Sequence, residues 1–179
     1  MKKKIKINSN YGILFFITGL SGSGKTSIST KLKKKIENKY GKTLLLTGER
    51  IRDIYNFNSF TKKDRLKLGM QNIDLINLIL KQKINVIYDA VALLKELRIQ
   101  KKKIIKNYIE IFIKTNVNTI IKFNKKKKIY KKIKNNIMGV HIKPDYPRTP
   151  HVIIKNNFTK NILDLTTELE KKISRILIN

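Results

Sequence analysis

At 179 residues the chain is long enough for one domain with a buried core and short for two, so we expect a single domain over residues 1–179. The formal net charge is +29, but only six of the 41 basic residues are arginine, the residue that a dedicated nucleic-acid surface favours. The absence of cysteine excludes disulfides and thiolate metal sites and agrees with a reducing cytoplasm, and no apolar stretch is long enough to span a membrane.

The apolar residues alternate between short continuous runs, typical of buried strands, and helical spacing, typical of amphipathic helices. In chain order the predicted elements are a strand over residues 12–18, a helix over 26–39, a strand over 43–46, a helical turn over 51–55, a helix after Thr61 to about 82, a strand over 85–88, a helix over 93–105, a strand over 108–113, a lysine-rich helix over 117–134, a strand over 152–154 and a helix over 161–177. This alternation predicts an α/β fold, with a mostly parallel five-stranded sheet and helices on both faces.

The first strand and the first helix are joined by a glycine-rich loop that matches the phosphate-binding pattern G-x-x-x-x-G-K-[ST] in full. The residues expected to bind nucleotide are Gly19, Leu20, Ser21, Gly22, Ser23, Gly24, Lys25, Thr26 and Ser27. Glycines let successive N–H groups turn toward an anion, and the helix N-terminus adds its positive end. Lys25 is expected to reach the β- and γ-phosphates of ATP, and the Thr26 hydroxyl to hold Mg²⁺. The loop predicts a three-layer P-loop NTPase fold.

Two of the main classes of P-loop protein fit this chain poorly. A GTPase needs a guanine-reading Asn-Lys-x-Asp sequence, but Asn124 and Lys125 are followed by further lysines. Motor-type ATPases are generally larger than one small domain. Residues 139–150 contain all three prolines, and with the basic residues before them they form a lid-like segment over about residues 125–150. A small domain with a basic lid favours a kinase that phosphorylates a small acceptor.

Four segments resemble the adenylylsulfate kinase family, and the resemblance extends over most of the chain. The phosphate loop lies in FITGLSGSGKT (16–26), whose T-G-L-S-G is more specific than the general motif. LLTGERIR (45–52) lies where the family has L-D-G-D-x-h-R, FTKKDR (60–65) matches F-S-x-x-D-R, and residues 139–150 resemble the segment that closes over the acceptor. The resemblance implies transfer of the γ-phosphate of ATP to the 3′-hydroxyl of adenosine 5′-phosphosulfate.

The resemblance also implies roles on the acceptor side. Arg52 and Arg65 lie where the family's acceptor-binding arginines do, and arginine forks suit a phosphate–sulfate or diphosphate-like group. Glu49 takes the position of a carboxylate near the acceptor hydroxyl, where it could accept a proton or orient Mg²⁺, and Phe60 is placed to stack on the acceptor base. The closing segment is expected to add further contacts with the acceptor: Ile137, Gly139 and His141.

The acceptor side departs from the family pattern. Thr47 replaces the first aspartate of D-G-D, and Leu68 stands where the family has an acceptor-contacting asparagine. Ala92 stands where the family often has a phosphorylatable serine, and Ile137 and Met138 stand where the second aromatic of a base sandwich is expected. The donor side is kept while the acceptor side is partly replaced. The acceptor could therefore differ, for example a cytidine diphosphate-linked compound in surface-polysaccharide modification.

Asp89 does not match the family, in which small residues are usual at this position. It follows a predicted strand at its C-terminal end, where a Mg²⁺-holding aspartate commonly lies in other P-loop proteins. We assign it a catalytic role near the metal or the acceptor, as the carboxylate that Thr47 has lost. The alternatives are a helix N-cap and an ordinary surface residue.

The sequence leaves three hypotheses. The first is an ATP-dependent kinase with adenylylsulfate as its acceptor, and the second is a related kinase with another acceptor, such as a cytidine diphosphate-linked compound. The third is a basic nucleic-acid-binding protein with a vestigial phosphate loop, against which the intact Lys25 and Thr26 argue. The family resemblance further implies a homodimer.

Overall fold

The computed structural model describes residues 4–123 and 136–178. Its strands are β1 (Ile5–Lys6), β2 (Leu14–Thr18), β3 (Thr43–Thr47), β4 (Asn85–Ala90), β5 (Tyr108–Lys114), β6 (Val152–Lys155) and β7 (Leu177–Ile178). Its helices are α1 (Lys25–Tyr40), α2 (Gly48–Ile54), α3 (Lys62–Lys81), α4 (Lys95–Ile104), α5 (Val117–Phe123) and α6 (Ile162–Ile176). The predicted lysine-rich helix begins as α5, and its remainder, with the first part of the lid-like segment, lies outside the described residues.

Five strands form one sheet in the order β3-β4-β2-β5-β6, and every neighbouring pair in it is parallel. The central strand β2 pairs with β4 and β5, so that Leu14 has both Val86 and Tyr108 as register partners. All residues of β2 are buried, as expected for a strand covered on both faces. The predicted α/β fold with a five-stranded sheet is confirmed.

The sheet separates two apolar cores. Leu14 and Phe16 pack on one face, against apolar residues of α3 and α4. Phe15 and Ile17 pack on the opposite face, against apolar residues of α1 and α6. Because strand side chains alternate between faces, the continuous apolar run of β2 serves both cores at once.

Buried asparagines fix the amino-terminal edge of the sheet. Asn85 accepts a hydrogen bond from the N–H of Ile13 at 2.9 Å and donates to the carbonyl oxygen of Tyr40 at 2.8 Å. Asn107 makes the equivalent contacts with the segment before β2, accepting from the N–H of Asn8 and donating to its carbonyl oxygen, both at 2.9 Å. These hydrogen bonds tie the chain segments at this edge together. The carboxyl ends of the strands form the opposite edge, where ligands bind in open α/β sheets.

A second, two-stranded sheet has no counterpart in the sequence prediction. β1 and β7 pair in parallel, with Ile5 opposite Leu177 and Lys6 opposite Ile178. Two residues are too few for an alternating pattern to be recognised, which is why the sequence does not predict them. In the described ranges, no helix is long and apolar enough to cross a membrane.

Candidate active site

The phosphate loop connects β2 to α1 at the carboxyl edge of the sheet. Gly22 and Gly24 have φ angles of 74° and 90°, in the left-handed region that favours glycine. A Cβ at Gly24 would lie 2.8 Å from the side-chain nitrogen of Asn156, which donates a hydrogen bond to the carbonyl oxygen of Ser23 at 2.9 Å. The loop therefore has its shape fixed by glycine conformations and by a residue that follows β6.

Lys25 is the first residue of α1, and its side chain is buried. Its ammonium group donates to the carbonyl oxygen of Leu20 at 2.7 Å, across the loop that it belongs to. In P-loop proteins the lysine at this position of the motif binds the β- and γ-phosphates of the nucleotide. Leu20 in turn supports the closing segment, because a Cβ at Gly139 would lie 2.8 Å from its Cδ2.

Asp89 lies on β4 directly opposite Thr47 on β3, and only 3% of it is exposed. Its Oδ1 is 3.3 Å from the hydroxyl of Thr26, and its Oδ2 accepts a hydrogen bond from Ser29 at 2.5 Å. Burial raises the pKa of Asp89, against the opposing effects of Ser29 and of the positive charge of Lys25. Adjacent parallel strands are about 4.8 Å apart. The Asp89 carboxylate therefore lies one strand away from residue 47, where the family pattern has an aspartate and this chain has a threonine.

This position of Asp89 does not agree with an exposed surface residue or a helix N-cap, since the residue is buried within a strand. The Thr26 hydroxyl and the Asp89 carboxylate are hard oxygen donors, the type that Mg²⁺ prefers. In residues 4–123 and 136–178, no group of three or more histidines, cysteines or acidic residues could hold a metal ion. A magnesium ion at Thr26 and Asp89 would therefore need the phosphates of a nucleotide to complete its ligands.

A cleft lies between α2, α3 and the carboxyl end of β4, and we call it the acceptor cleft because it contains residues that the sequence predicts for the acceptor. Its walls include Gly48, Arg52, Phe60, Arg65, Ala92 and Met138. The guanidinium carbons of Arg52 and Arg65 each lie 5.4 Å from the centroid of the Phe60 ring, within cation–π range. The structure thus brings together the two arginines and the aromatic residue that the sequence predicts for the acceptor. Two adjacent guanidinium groups suit an anion with more than one charge.

The Arg65 side chain is held by hydrogen bonds to two backbone carbonyl oxygens. Its Nε donates to the carbonyl oxygen of Phe60 at 2.8 Å, and its Nη2 donates to that of Asn136 at 2.9 Å. Burial and, to a lesser extent, the charge of Arg52 lower the pKa of the Arg65 guanidinium. The two guanidinium groups repel each other electrostatically, and an anionic ligand between them would offset this repulsion.

Two threonine caps position the helices of this cleft. The Thr47 hydroxyl accepts from the N–H of Arg50 at 3.2 Å, so α2 begins immediately after β3 rather than at residue 51 as predicted. The Thr61 hydroxyl accepts from the N–H of Asp64 at 3.2 Å, which confirms the predicted N-cap of α3. Because both caps precede the arginines by only a few residues, helix geometry fixes the direction in which Arg52 and Arg65 leave the backbone.

Of Glu49 and residues 137–141, which the sequence also assigns to the acceptor side, only Met138 lines the cleft. Glu49 is exposed in the first turn of α2, and its charge contributes to the raised pKa of Asp89, so the two carboxylates interact electrostatically. Ile137 is buried, and Met138 rather than Ile137 lines the cleft. His141 is exposed, and its Nδ1 accepts from the N–H of Ile137 at 3.3 Å. In this structure the His141 side chain stabilises the turn that contains it.

Sequence reasoning missed two polar residues on the inner wall of the acceptor cleft. Asn72 on α3 and Tyr88 on β4 are both buried, and the Asn72 amide nitrogen donates to the Tyr88 hydroxyl at 3.0 Å. A signal existed, because Asn72 lies four residues after Leu68 and four before Ile76, in the apolar stripe of the helix. An asparagine in such a stripe indicates a buried polar group that needs a partner.

The site can be compared with proteins of known kind. The model of the adenylylsulphate kinase family matches residues 11–155. A cytidine diphosphoramidate kinase of Campylobacter jejuni is 30% identical over 164 residues, covering 89% of this chain and 95% of that protein. An adenylyl-sulfate kinase of Clostridium kluyveri is 29% identical over 158 residues, covering 85% of this chain and 79% of that protein.

A solved structure shares the fold at lower identity. The APS kinase CysC of Mycobacterium tuberculosis, in complex with AMPPNP and APS, superposes with a TM-score of 0.81 at 21% identity. The superposition covers 92% of this chain and 98% of that one. This likeness confirms the P-loop kinase architecture that the sequence predicts, and the two kinases among the sequence relatives differ in the acceptor that their names carry.

Proposed function

Because this chain belongs to the adenylylsulphate kinase family, we propose that it transfers the γ-phosphate of ATP to a hydroxyl group of a nucleotide-like acceptor. One observation carries the proposal. A complete phosphate loop and a cleft with two arginines lie at the same edge of the sheet, and consecutive residues of β4 join them. Asp89 faces the loop and Tyr88 lines the cleft.

On the donor side, catalysis would consist of positioning and charge neutralisation. The loop amides and Lys25 would bind the phosphates, with Lys25 exchanging its contact with Leu20 for phosphate oxygens. Thr26 and Asp89 would hold Mg²⁺, which supplies positive charge to the phosphates when it is bound. Ser29 would keep the Asp89 carboxylate oriented through its short hydrogen bond.

On the acceptor side, Arg52 and Arg65 would bind the charged group of the acceptor, and Phe60 would stack on its base. Asp89 is already engaged by Thr26 and Ser29. We therefore assign to Glu49 the acceptance of the proton from the reacting hydroxyl. Our first candidate acceptor is adenylylsulfate, which would be converted to 3′-phosphoadenosine 5′-phosphosulfate.

A second candidate acceptor is cytidine diphosphoramidate. Two observations favour it: apolar Leu68 stands in place of the family's acceptor-contacting asparagine, and Met138 lines the cleft close to where the second stacking aromatic is expected. A relative with this acceptor in its name covers nearly the whole chain. Both candidates carry two adjacent anionic groups, which the arginine pair would bind.

An assay of ADP release with ATP and Mg²⁺ tests the proposal across adenylylsulfate, cytidine diphosphoramidate, cytidine diphosphate and unsubstituted nucleosides. We expect turnover with one of the first two and none with nucleosides. No turnover, together with tight and steeply salt-dependent binding to DNA or RNA, would instead support the nucleic-acid-binding alternative. We also propose a homodimer, which analytical ultracentrifugation of the same preparation would test.

A further inference from the structure

We infer that Asn72 is a specificity-determining residue, which accepts a hydrogen bond from an N–H group of the acceptor substrate. The inference rests on the proposed kinase function and extends it, because it names a chemical group that the acceptor must carry. The phosphate loop and the arginine pair do not distinguish acceptors that carry this N–H group from acceptors that lack it, since both bind anionic oxygens.

The first argument is the unpaired oxygen of Asn72. The residue is 2% exposed, and its Oδ1 has no hydrogen-bond partner within the described parts of the chain. A buried carbonyl oxygen without a partner destabilises a protein, and such atoms in native structures call for an explanation. Asn72 is also a lining residue of the acceptor cleft, so a ligand in the cleft can supply the missing donor.

The second argument is the contact that the amide makes with Tyr88. Its nitrogen donates to the Tyr88 hydroxyl at 3.0 Å, which leaves the oxygen for a ligand. Burial raises the pKa of Tyr88 to about 12, so this hydroxyl keeps its proton at neutral pH and remains a donor. The inner wall thus presents an acceptor at Asn72 next to a donor at Tyr88.

The third argument is the chemistry of the partner. Terminal sulfate and phosphate oxygens are largely unprotonated at neutral pH and cannot donate to the Asn72 oxygen. A nitrogen that carries hydrogen can, and it has two sources in a nucleotide acceptor: an exocyclic amine of the base, or an amide nitrogen on the terminal phosphoryl group. Small residues, among them Gly69 and Ala90, line the same cleft as the two polar side chains.

The experiment compares kcat/KM for matched acceptor pairs. One pair is cytidine diphosphoramidate and cytidine diphosphate, which differ in the terminal nitrogen. The other is the better acceptor with its base amine and the same compound with hydrogen in place of that amine. We expect the wild-type chain to prefer the N–H member of one pair by about tenfold to hundredfold, and the pair that shows this identifies the source.

The variant Asn72→Leu removes the amide at similar volume, and the preference should fall to about onefold with KM for ATP unchanged. Gln71→Leu is the matched control, because Gln71 is the exposed neighbour on α3, and it should keep the preference. Tyr88→Phe leaves the amide oxygen in place but frees its orientation, so the preference should shrink without disappearing.

The outcomes of this experiment distinguish failure of the inference about Asn72 from failure of the proposed kinase function. Turnover by the wild-type chain with a preference that Asn72→Leu leaves unchanged, or a wild-type preference for the oxygen-bearing member, overturns the inference alone. No turnover of any acceptor overturns the proposed function, and the inference falls with it.

Discussion

The phosphate loop and the acceptor cleft lie at the same edge of the sheet, but they are built from different parts of the chain. The loop presents backbone N–H groups, and its shape depends on glycine conformations at Gly22 and Gly24. The cleft presents side chains from α2, α3 and β4, among them Arg52, Phe60 and Tyr88. A site made of backbone tolerates little change in sequence, whereas a site made of side chains can change its ligand one residue at a time.

The carboxylates illustrate this difference. The carboxylate that the family pattern places at residue 47 is absent, and Asp89 supplies one at the register partner on the adjacent strand. We propose that Asp89 takes the role of the missing carboxylate from the adjacent strand, within an unchanged fold. The phosphate loop shows no such exchange, and the following predictions test the contrast from the largest expected effect to the smallest.

Lys25→Ala should have the largest effect, because no other described side chain in the loop carries positive charge to the phosphates. We expect kcat to fall by about 10³-fold or more, as measured by ADP release. The variant should keep its far-ultraviolet circular dichroism spectrum and its affinity for the acceptor. Turnover near that of the wild-type chain would disprove the donor half of the proposal.

Asp89→Asn should lower kcat by about 10²-fold, since the amide loses the charge that would orient Mg²⁺. The same substitution should raise the free energy of unfolding of the ligand-free protein near pH 7, because it removes a buried, ionised carboxylate. Urea denaturation measures this effect. Lower stability of the variant at neutral pH would show that the hydrogen bonds and charges around the Asp89 carboxylate outweigh the cost of burying it.

The pH dependence of this difference follows from the raised pKa. The pKa of Asp89 in the folded protein is above its ordinary value of 3.8, which applies to the unfolded chain. At pH values between these two pKa values, the folded protein therefore binds more protons than the unfolded chain. Stability from this group is therefore fully present below the ordinary pKa and is lost as pH rises through the raised pKa. The stability advantage of Asp89→Asn should accordingly be small at acidic pH and largest at neutral pH.

Arg52→Lys should raise KM for the acceptor by about tenfold and leave KM for ATP within about twofold, because lysine cannot form a planar fork. Arg50→Lys is a matched control, since Arg50 is exposed on the same helix and does not line the cleft. Steady-state kinetics with each substrate varied in turn make the measurement. Equal increases in both KM values would contradict the assignment of Arg52 to the acceptor.

Gly139→Ala should have the smallest effect, a decrease in kcat of about twofold to fivefold with a lower Tm. Its φ of 93° strains any other residue, and the new methyl group would push against Leu20 in the phosphate loop. Gly41→Ala separates these causes, because Gly41 has a φ of 91° but open space around its Cβ position. If the control loses as much activity as Gly139→Ala, contact between the closing segment and the loop does not matter.

Much of the fold could be predicted because it depends on local patterns. The five strands of the main sheet are largely apolar runs, and the loop follows the first of them directly, so the sheet and the position of the phosphate loop could be predicted from sequence alone. Asn156 could not, because it holds Ser23 across a separation of 133 residues that no local pattern reveals. Tyr88 was hidden in the same way, since it reads as an ordinary apolar strand residue until α3 places Asn72 beside it.

The pairing of β1 with β7 makes the chain suitable for circular permutation. Ile5 lies beside Leu177, so a short peptide linker that joins residue 177 to residue 5 would span little distance. A new start could then be placed at the exposed turn near Lys83, between α3 and β4. In such a circular permutant β4 would be synthesised before the phosphate loop, and an active product would demonstrate that the site depends on the finished sheet rather than on the order of its strands.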